Sequence, residues 1–284
     1  MPLATGLARR LSGALLVTST FVSFAASSPA WAQGDLLIAP TRLILDGRRG
    51  GEVILSNIGS EEATYRVTLE LRRMAPDGAL EPLDEAEANV TEKAALEMIR
   101  YAPRRVTLPP SEPQAIRISA RPAAELPDGE YRVHMSFAAM PRTQPLAAAG
   151  ESITAPEGGF AINLVPIYGI TMPIIVRKGE LEVTAGLANA RLEQAPEGTQ
   201  FKVDMTRSGS ASVYGDLLVY RQGQSEPVFV ARGIGVYPEI AARHAAFMLS
   251  PEQAGLMRGP VRVELREPLQ SGGALITSLD AVLR

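Results

Sequence analysis

Segments in which apolar and polar residues alternate dominate the chain from residue 36 onward. In residues 64–72, the odd-numbered positions are apolar and the even-numbered positions are polar or charged. This period of two is typical of a strand that buries one face and exposes the other. Similar segments, most of them bordered by Gly, Pro, Asn or Asp, predict further strands at residues 36–45, 52–57, 98–108, 115–120, 131–138 and 160–177.

A second series of alternating segments follows residue 178 without a Gly- or Ser-rich linker. Each series has about seven short strands, with turns every ten or so residues, which is the pattern of an immunoglobulin-like β-sandwich. We therefore predict an all-β chain of two tandem immunoglobulin-like domains, residues 33–178 and 179–284. The predicted strands of the second domain are residues 181–187, 200–206, 214–220, 227–233, 242–249, 261–267 and 274–283.

Three segments depart from this simple pattern. Residues 80–96 are acidic and alanine-rich, with apolar residues at helical spacing, and are expected to form a short helix or a mobile loop. Residues 141–159 are rich in Ala, Gly and Pro without a clear period, which is typical of disorder. The long run at 160–177 contains Pro166 and Pro173, which a strand tolerates at a sheet edge or at a bulge.

The first 32 residues have the features of a secretory signal peptide. Arg9 and Arg10 precede a stretch of small and aliphatic residues, and the Ala-Trp-Ala at residues 30–32 has the form of a cleavage site. The alternative is an uncleaved membrane anchor, although the stretch has few strongly apolar residues for a membrane span. We expect the chain to be exported and its mature form to begin near Gln33.

Composition narrows the possible function classes. The 284 residues include 28 Lys and Arg against 31 Asp and Glu, a formal net charge of −3, which argues against a basic nucleic-acid-binding surface. The sequence contains no Cys, so disulfides, thiol nucleophiles and cysteine-ligated metals are excluded. Its two His residues are His134, expected to be a hydrogen-bonded structural residue in mid-strand, and His244, expected at the surface. Because no motif assembles a nucleophile, a base and an orienting group, we expect a protein that is not an enzyme and needs no metal or cofactor.

Four short motifs in the first half of the chain share their order and spacing with a known family. They are IAPTRLILDG at residues 38–47, RYAPRR at 100–105, QAIRI at 114–118 and LPDGEYR at 126–132. In these motifs the chain resembles the periplasmic pilus-assembly chaperones of the chaperone–usher class, as a divergent member. The resemblance covers mainly residues 36–178, and it implies two immunoglobulin-like domains in a boomerang arrangement.

This resemblance implies an ATP-independent chaperone that lends a strand to pilus or fimbrial subunits lacking one, and that passes them to an outer-membrane usher. The lent strand would come from residues 160–176, whose alternating apolar side chains would fill the groove of the subunit. The alternative is that these side chains fill only the chain's own core. The donor residues that the resemblance implies are Leu164, Pro166, Tyr168, Ile170 and Met172.

The resemblance also implies an anchor for the client. Arg42 matches the family's cleft arginine, which binds the C-terminal carboxylate of the subunit through charge-assisted hydrogen bonds. Pro173 stands where the family has a second, cationic anchor, a lysine. Backbone N–H groups or another cation, such as Lys178, would then have to complete the anchor, or the docking mode differs from the family's.

An ion pair between the domains is a further implication of the resemblance. Glu130 and Arg177 match the family's pair, which sets the angle between the two sandwiches. Its third, acidic member from the second domain is not evident in the sequence, and Glu267 is the candidate. Such a pair would set orientation more than stability, because partly exposed ion pairs contribute only about 0–1 kcal/mol.

Taken together, the sequence favours a periplasmic chaperone that binds pilin-type subunits, with an exposed apolar strand that would also favour self-capping homodimers. Residues 141–159 would become ordered when a client binds. One alternative is an exported structural or adhesive protein with the same tandem sandwiches and no client. Another is a carbohydrate-binding or hydrolytic protein, for which the 5% aromatic content offers few sugar-stacking residues.

Overall fold

The computed structural model of this chain describes residues 36–141 and 168–284. The predicted signal peptide at residues 1–32 lies outside the described residues. So does most of the segment at 141–159, together with the donor residues Leu164 and Pro166.

The first sandwich packs two sheets against each other. One sheet has the strand order β1-β3-β8-β6, and the other has the order β2-β10-β9-β4-β5, with β7 paired to β4. The elements are β1 (Leu36–Ala39), β2 (Leu43–Leu45), β3 (Gly51–Asn57), β4 (Ala63–Met74), β5 (Leu80–Leu83), α1 (Val90–Met98), β6 (Ile99–Ala102), β7 (Arg105–Leu108), β8 (Pro113–Ala120), β9 (Gly129–Met140) and β10 (Gly169–Lys178).

The second sandwich has sheets of order β11-β12-β15 and β14-β13-β16-β17. A short helix, α2, links β15 to β16, and a 3₁₀ turn at Leu269–Ser271 lies before the last strand. The elements are β11 (Val183–Ala195), β12 (Gly198–Gly209), β13 (Val213–Arg221), β14 (Pro227–Val236), β15 (Ala242–Met248), α2 (Pro251–Leu256), β16 (Gly259–Arg266) and β17 (Leu275–Leu283). The prediction of an all-β chain with two tandem immunoglobulin-like sandwiches is therefore confirmed.

Period two along the strands accounts for the cores. In β9, the side chains of Tyr131, Val133, Met135 and Phe137 are buried in the first core, and the intervening residues lie on the opposite face of the sheet. The second core is built in the same way and contains an aromatic cluster of Phe201, Phe229 and Phe247. Each sandwich thus has its own core of alternating residues.

Two predicted strands are each divided between sheets. Residues 36–45 form β1 and β2, which pair with β3 and β10 respectively. Residues 98–108 form β6 and β7, which pair with β8 and β4. The Ala39-Pro40 and Ala102-Pro103 bonds at the two crossings are cis. A strand that changes sheets keeps its period of two, so the pattern alone does not reveal the crossing.

The helices begin at capping boxes. Asn89 accepts a hydrogen bond from the N–H of Glu92, whose carboxylate in turn accepts from the N–H of Asn89, so α1 starts at Val90. Ser250 and Gln253 form the same reciprocal pair at the start of α2. The helix predicted within residues 80–96 therefore starts later than its apolar spacing indicated. Among the described residues, no helix is both long and apolar enough to cross a membrane.

Replacement of Ile174 by Ala should destabilise the first sandwich. Ile174 is fully buried in β10, so Ile174→Ala removes apolar contacts and leaves a cavity, at a cost of about 2–5 kcal/mol. The matched control is Ile58→Ala, because Ile58 is 65% exposed in the same sandwich. Urea unfolding followed by circular dichroism measures both variants, and equal losses of stability would contradict the assigned core.

Candidate functional site

Arg42 lies in the link between β1 and β2 and reaches the second sandwich. Its Nη2 donates to Ser212 Oγ at 2.9 Å, and its Nη1 donates to Tyr237 Oη at 3.3 Å. The guanidinium carbon lies 4.4 Å from the centroid of the Tyr214 ring, within cation–π range. Burial lowers the pKa of Arg42, while the neighbouring Tyr237 and Glu130 act in the opposite direction. The guanidinium is thus held in place by side chains of the other sandwich.

Glu130 and Arg177, paired by the sequence analysis, are in contact in the structure. Arg177 Nε lies 3.2 Å from Glu130 Oε2, and the Glu130 side chain has no solvent exposure. The same carboxylate oxygen accepts from the N–H of Ser212 at 3.1 Å and from its hydroxyl at 2.9 Å. The partner of this pair in the second sandwich is therefore Ser212, and the assignment of Glu267 as its acidic third member is wrong.

Tyr237 lies between two arginines of the first sandwich. The guanidinium carbon of Arg132 is 3.6 Å from its ring centroid, and that of Arg42 is 5.5 Å away on the same ring. Arg132 also pairs with Glu239 at 2.5 Å, and Glu239 accepts from the N–H of Met74 at 2.8 Å. Tyr237, Met74 and Ile175 form a small buried apolar cluster beside these polar contacts.

We call this set of contacts the joint, comprising Arg42, Glu130, Arg132, Arg177, Ser212, Tyr214, Tyr237 and Glu239. Only Arg42, Glu130 and Arg177 were anticipated from the sequence. Arg132 closes the LPDGEYR motif, but no pattern in the sequence indicates its partner, and the remaining members lie outside the four motifs. Their roles depend on partners far away in the chain. Ser212, for instance, is 170 positions from Arg42.

A cleft of about 1290 Å³ opens beside the joint. Residues of both sandwiches line it, including Arg42 and Arg177 of the first and Tyr214 and Arg232 of the second. Apolar side chains at its rim are exposed, Leu269 at 81% and Leu275 at 50%. The cleft therefore combines arginine side chains with an apolar rim.

The predicted donor residues that the structure describes have different environments. Tyr168 is 53% exposed just before β10, and Ile170 is half-buried against the first core. Met172 is 1% exposed and belongs to that core. Met172 thus fills the chain's own sandwich, as the alternative interpretation of this run holds, whereas the Tyr168 ring is available at the surface.

Over the first half of β10, one edge of the strand is open with respect to the described residues. Antiparallel pairing with β9 covers β10 from Gly169 to Lys178, but β2 pairs with it only at Ile174–Val176. Over Gly169–Pro173, no other strand of the described residues pairs with the second edge. The Tyr168 carbonyl accepts from the N–H of Ala139 in β9, so the backbone groups of even-numbered residues face β9. Because these groups alternate along an antiparallel ladder, those of the odd-numbered residues face the open edge. Pro173 has no N–H and so suits that position.

Arg42 and the open edge are adjacent. Leu43 pairs with Ile174 in parallel register, so Arg42 stands at the point where β2 leaves β10 and the open edge begins. The Lys178 side chain lies elsewhere. Its Nζ donates to the carbonyls of Ala124 and Leu126. The expectation that Lys178 could serve as a second anchor beside Arg42 is therefore not supported by its placement.

His134 lies on the face of β9 opposite the core and is 1% exposed. Neither ring nitrogen has a hydrogen-bond partner in the part of the chain that the structure describes, so these residues do not supply the hydrogen bond expected for it. Burial, followed by the charges of Arg132, Arg72 and Arg42, lowers its pKa to about 3. His244, by contrast, is exposed and lies 2.8 Å from Asp204. In residues 36–141 and 168–284, no group of three or more His, Asp or Glu side chains is placed to hold a metal ion.

Comparison with known proteins gives similarities to solved structures only. No protein-family model and no curated protein matches the sequence. The chain is similar to the CupB2 chaperone of Pseudomonas aeruginosa, with 14% identity, a TM-score of 0.45, and coverage of 87% of this chain and 100% of that one. It is also similar to the Salmonella enterica SafA pilin in complex with the SafB chaperone, with 15% identity, a TM-score of 0.42, and coverage of 88% and 97%. A third is the CsuC–CsuE chaperone–tip adhesion subunit pre-assembly complex from archaic chaperone–usher Csu pili of Acinetobacter baumannii, with 10% identity, a TM-score of 0.43, and coverage of 88% and 99%.

A double-mutant cycle should detect the hydrogen bonds between Glu130 and Ser212. Because a buried carboxylate accepts two bonds from Ser212, Glu130→Ala and Ser212→Ala should each destabilise the chain, with a coupling free energy of about 1–3 kcal/mol in urea unfolding. The control cycle pairs Glu130→Ala with Ser250→Ala, since Ser250 caps α2 away from the joint. A coupling at Ser212 no larger than at Ser250 would rule out this contact.

The low pKa of His134 makes stability depend on pH. The folded chain keeps the ring neutral down to about pH 3, whereas the unfolded chain binds a proton near pH 6.5. Unfolding therefore takes up a proton between these values, and stability should fall as the pH falls from 6.5 towards 3, by up to about 1.4 kcal/mol per pH unit. His134→Leu should remove this part of the slope. In a His244→Asn variant, His134 is the single remaining histidine. Nuclear magnetic resonance of this variant would refute the assignment if the imidazole of His134 were protonated at pH 5.

Proposed function

We propose that this chain is a periplasmic chaperone of the chaperone–usher class, which binds pilus or fimbrial subunits by lending them a β-strand and delivers them to an outer-membrane usher. The observation that carries the proposal is the open edge of β10 next to Arg42. The four motifs of the first sandwich support the same assignment independently. Residues 1–32 would be the export signal, and residues 33–178 and 179–284 the two domains.

Strand donation follows from the chemistry of sheet edges. A subunit that lacks a strand exposes an apolar groove and unpaired backbone groups, and both favour aggregation. The open edge of β10 offers backbone groups of Gly169 and Thr171 for pairing, while alternating side chains of the lent strand fill the groove. We assign this filling role to Leu164, Pro166, Tyr168 and Ile170. Met172, buried in the chain's own core, would instead fix the end of the lent strand to its sandwich.

Arg42 would bind the C-terminal carboxylate of the subunit. An arginine has five N–H donors, and two of them are used by Ser212 and Tyr237, so donors remain for a carboxylate. Binding of the subunit's C-terminus at Arg42 then defines the direction of the subunit strand relative to β10. A subunit strand that ends there and lies along Gly169–Pro173 runs parallel to β10.

The pair of Glu130 and Arg177 would hold the two sandwiches at a fixed angle and thereby keep the cleft open beside β10. The buried bonds from Ser212 to Glu130 support this role, since they join the sandwiches directly. Neither strand lending nor carboxylate binding makes or breaks a covalent bond, and neither requires a metal or a cofactor. A non-enzymatic function is therefore part of the proposal.

The second candidate is an exported structural or adhesive protein without a client, for which the burial of Met172 in the chain's own core is the favouring observation. In that case β10 would serve only its own sandwich. Arg42 would then matter for the joint and not for a partner. The two functions differ in whether a subunit depends on the exposed side of β10.

The proposal predicts that client capture depends on both Arg42 and β10. Recovery of a small β-rich subunit with the tagged chain from the periplasm should be lost in Arg42→Ala, which removes the carboxylate anchor. It should also be lost in Ile170→Asp and Tyr168→Asp, which place a charge in the apolar groove. Tyr168→Asp keeps the test valid if Ile170→Asp fails to fold, because Tyr168 is exposed.

Matched controls are Arg221→Ala and Ile58→Asp, which alter exposed residues away from the cleft. Circular dichroism verifies that each variant folds. If the wild-type chain recovers no such subunit, or if folded Arg42 and Tyr168 variants both retain it, the structural or adhesive function replaces the chaperone.

A further inference from the structure

Arg232 stands at a β-bulge on the wall of the cleft. In the pairing of β13 with β14, Gly215 is opposite Ile234 and Leu217 is opposite Ala231. Arg232 and Gly233 therefore both stand opposite the single residue Asp216. Bulges of this kind change the direction of a side chain and are frequent beside functional sites.

The bulge is held by specific contacts. Gly233 has φ of +69°, in the left-handed region that favours glycine, and its N–H donates to Asp216 Oδ1 at 2.9 Å. A Cβ at this position would lie 3.0 Å from Tyr214 Oη, so the bulge packs closely on that tyrosine. The Tyr214 ring is the same ring that lies under the guanidinium of Arg42. Tyr214 thus connects the bulge with Arg42.

Among the described residues, the charges of the cleft leave Arg232 without a partner. Its side chain is exposed, and it makes no ion pair or side-chain hydrogen bond with the described residues. Arg177 is engaged by Glu130, and Asp216 is engaged by the bulge. Glu267, half-buried at the rim, is the other carboxylate of the lining. Arg42 and Arg232 are therefore the lining arginines whose N–H donors are not satisfied by a carboxylate of the protein.

We propose that Arg232 is the second cationic anchor for the terminal carboxylate of a client strand, acting from the second sandwich together with Arg42 of the first, since both line the cleft. This inference rests on the proposed function. A carboxylate accepts about four hydrogen bonds, more than one guanidinium fork supplies, and a second fork would complete them. The client end would then be held by both sandwiches, so that its binding depends on the joint.

A labelled peptide tests this arrangement. The probe is a fluorescent pentapeptide of alternating apolar and threonine residues with a free C-terminal carboxylate, and its partner is the same peptide with a C-terminal amide. Fluorescence anisotropy with the purified chain should show tighter binding of the acid. Arg232→Ala and Arg42→Ala should each weaken binding of the acid about tenfold, the loss expected for one charge-assisted interaction. Arg232→Ala should leave binding of the amide unchanged, because Arg232 makes no hydrogen bond or ion pair within the joint. Arg221→Ala, an exposed arginine away from the cleft, should bind both peptides like the wild type.

Three results would overturn the inference. If Arg232→Ala binds the acid as tightly as the wild type does, Arg42 anchors the carboxylate without Arg232. Equal binding of acid and amide by the wild-type chain would exclude carboxylate recognition here. Displacement of the peptide by acetate at equal concentration would identify a site for free anions rather than for a peptide end.

Failure of the inference is distinguishable from failure of the proposed function. If the wild-type chain and Arg232→Ala recover the periplasmic subunit equally well while Arg42→Ala does not, the inference fails and the chaperone function stands. If the wild-type chain recovers no subunit, the chaperone function itself fails.

Discussion

The burial of two opposite charges where the sandwiches meet constrains the rest of this structure. Arg42 and Glu130 both belong to the first sandwich, and both rely on the second sandwich for hydrogen bonds through Ser212. A charged group removed from water without such partners would cost several kcal/mol. Separating the two sandwiches would therefore break the hydrogen bonds of both charges to the second sandwich and leave Glu130 with Arg177 as its partner. The position of the cleft beside β10 follows from this constraint.

Ser212 links the two charged side chains because its hydroxyl is hydrogen-bonded to both. Its hydroxyl accepts from Arg42 and donates to Glu130, so a change at either charge alters the bonding of the other. A partner that binds Arg42 in the cleft would also act on the contact between the sandwiches. This coupling gives a physical route by which binding at the cleft would affect the mutual orientation of the two sandwiches.

The inward side chains of β10 and its outer edge have different roles. Its inward side chains, among them Met172 and Ile174, are buried in the first core, which gives the strand a stable position. Over Gly169–Pro173 its outer edge has no strand partner among the described residues. An unpaired edge is a hazard in most proteins because it pairs with other chains. In the proposed function the same property is used, and the buried side chains of the strand keep its open edge in place.

Several features could be predicted from the sequence because they depend on neighbouring residues. Alternation with period two is a local property, so it identified most strands and the two sandwiches. The capping boxes at Asn89 and Ser250 are local as well, and their Asn-x-x-Glu and Ser-x-x-Gln spacings would have located both helix starts. The resemblance led to Arg42 and Glu130, which lie within two of the short motifs, and to Arg177, which closes the predicted strand at 160–177.

By itself, then, the sequence determined the strand pattern, the all-β class and the identity of three charged residues of the joint. The tertiary structure decided what those charges contact. Ser212 takes the place of the expected acid. The Lys178 side chain donates to the carbonyls of Ala124 and Leu126, and Arg232, which stands at a bulge, lines the cleft. These outcomes depend on residues far apart in the chain, and no local periodicity encodes such partners. Only the packing of the two sandwiches, which satisfies buried charges across their contact, selects them.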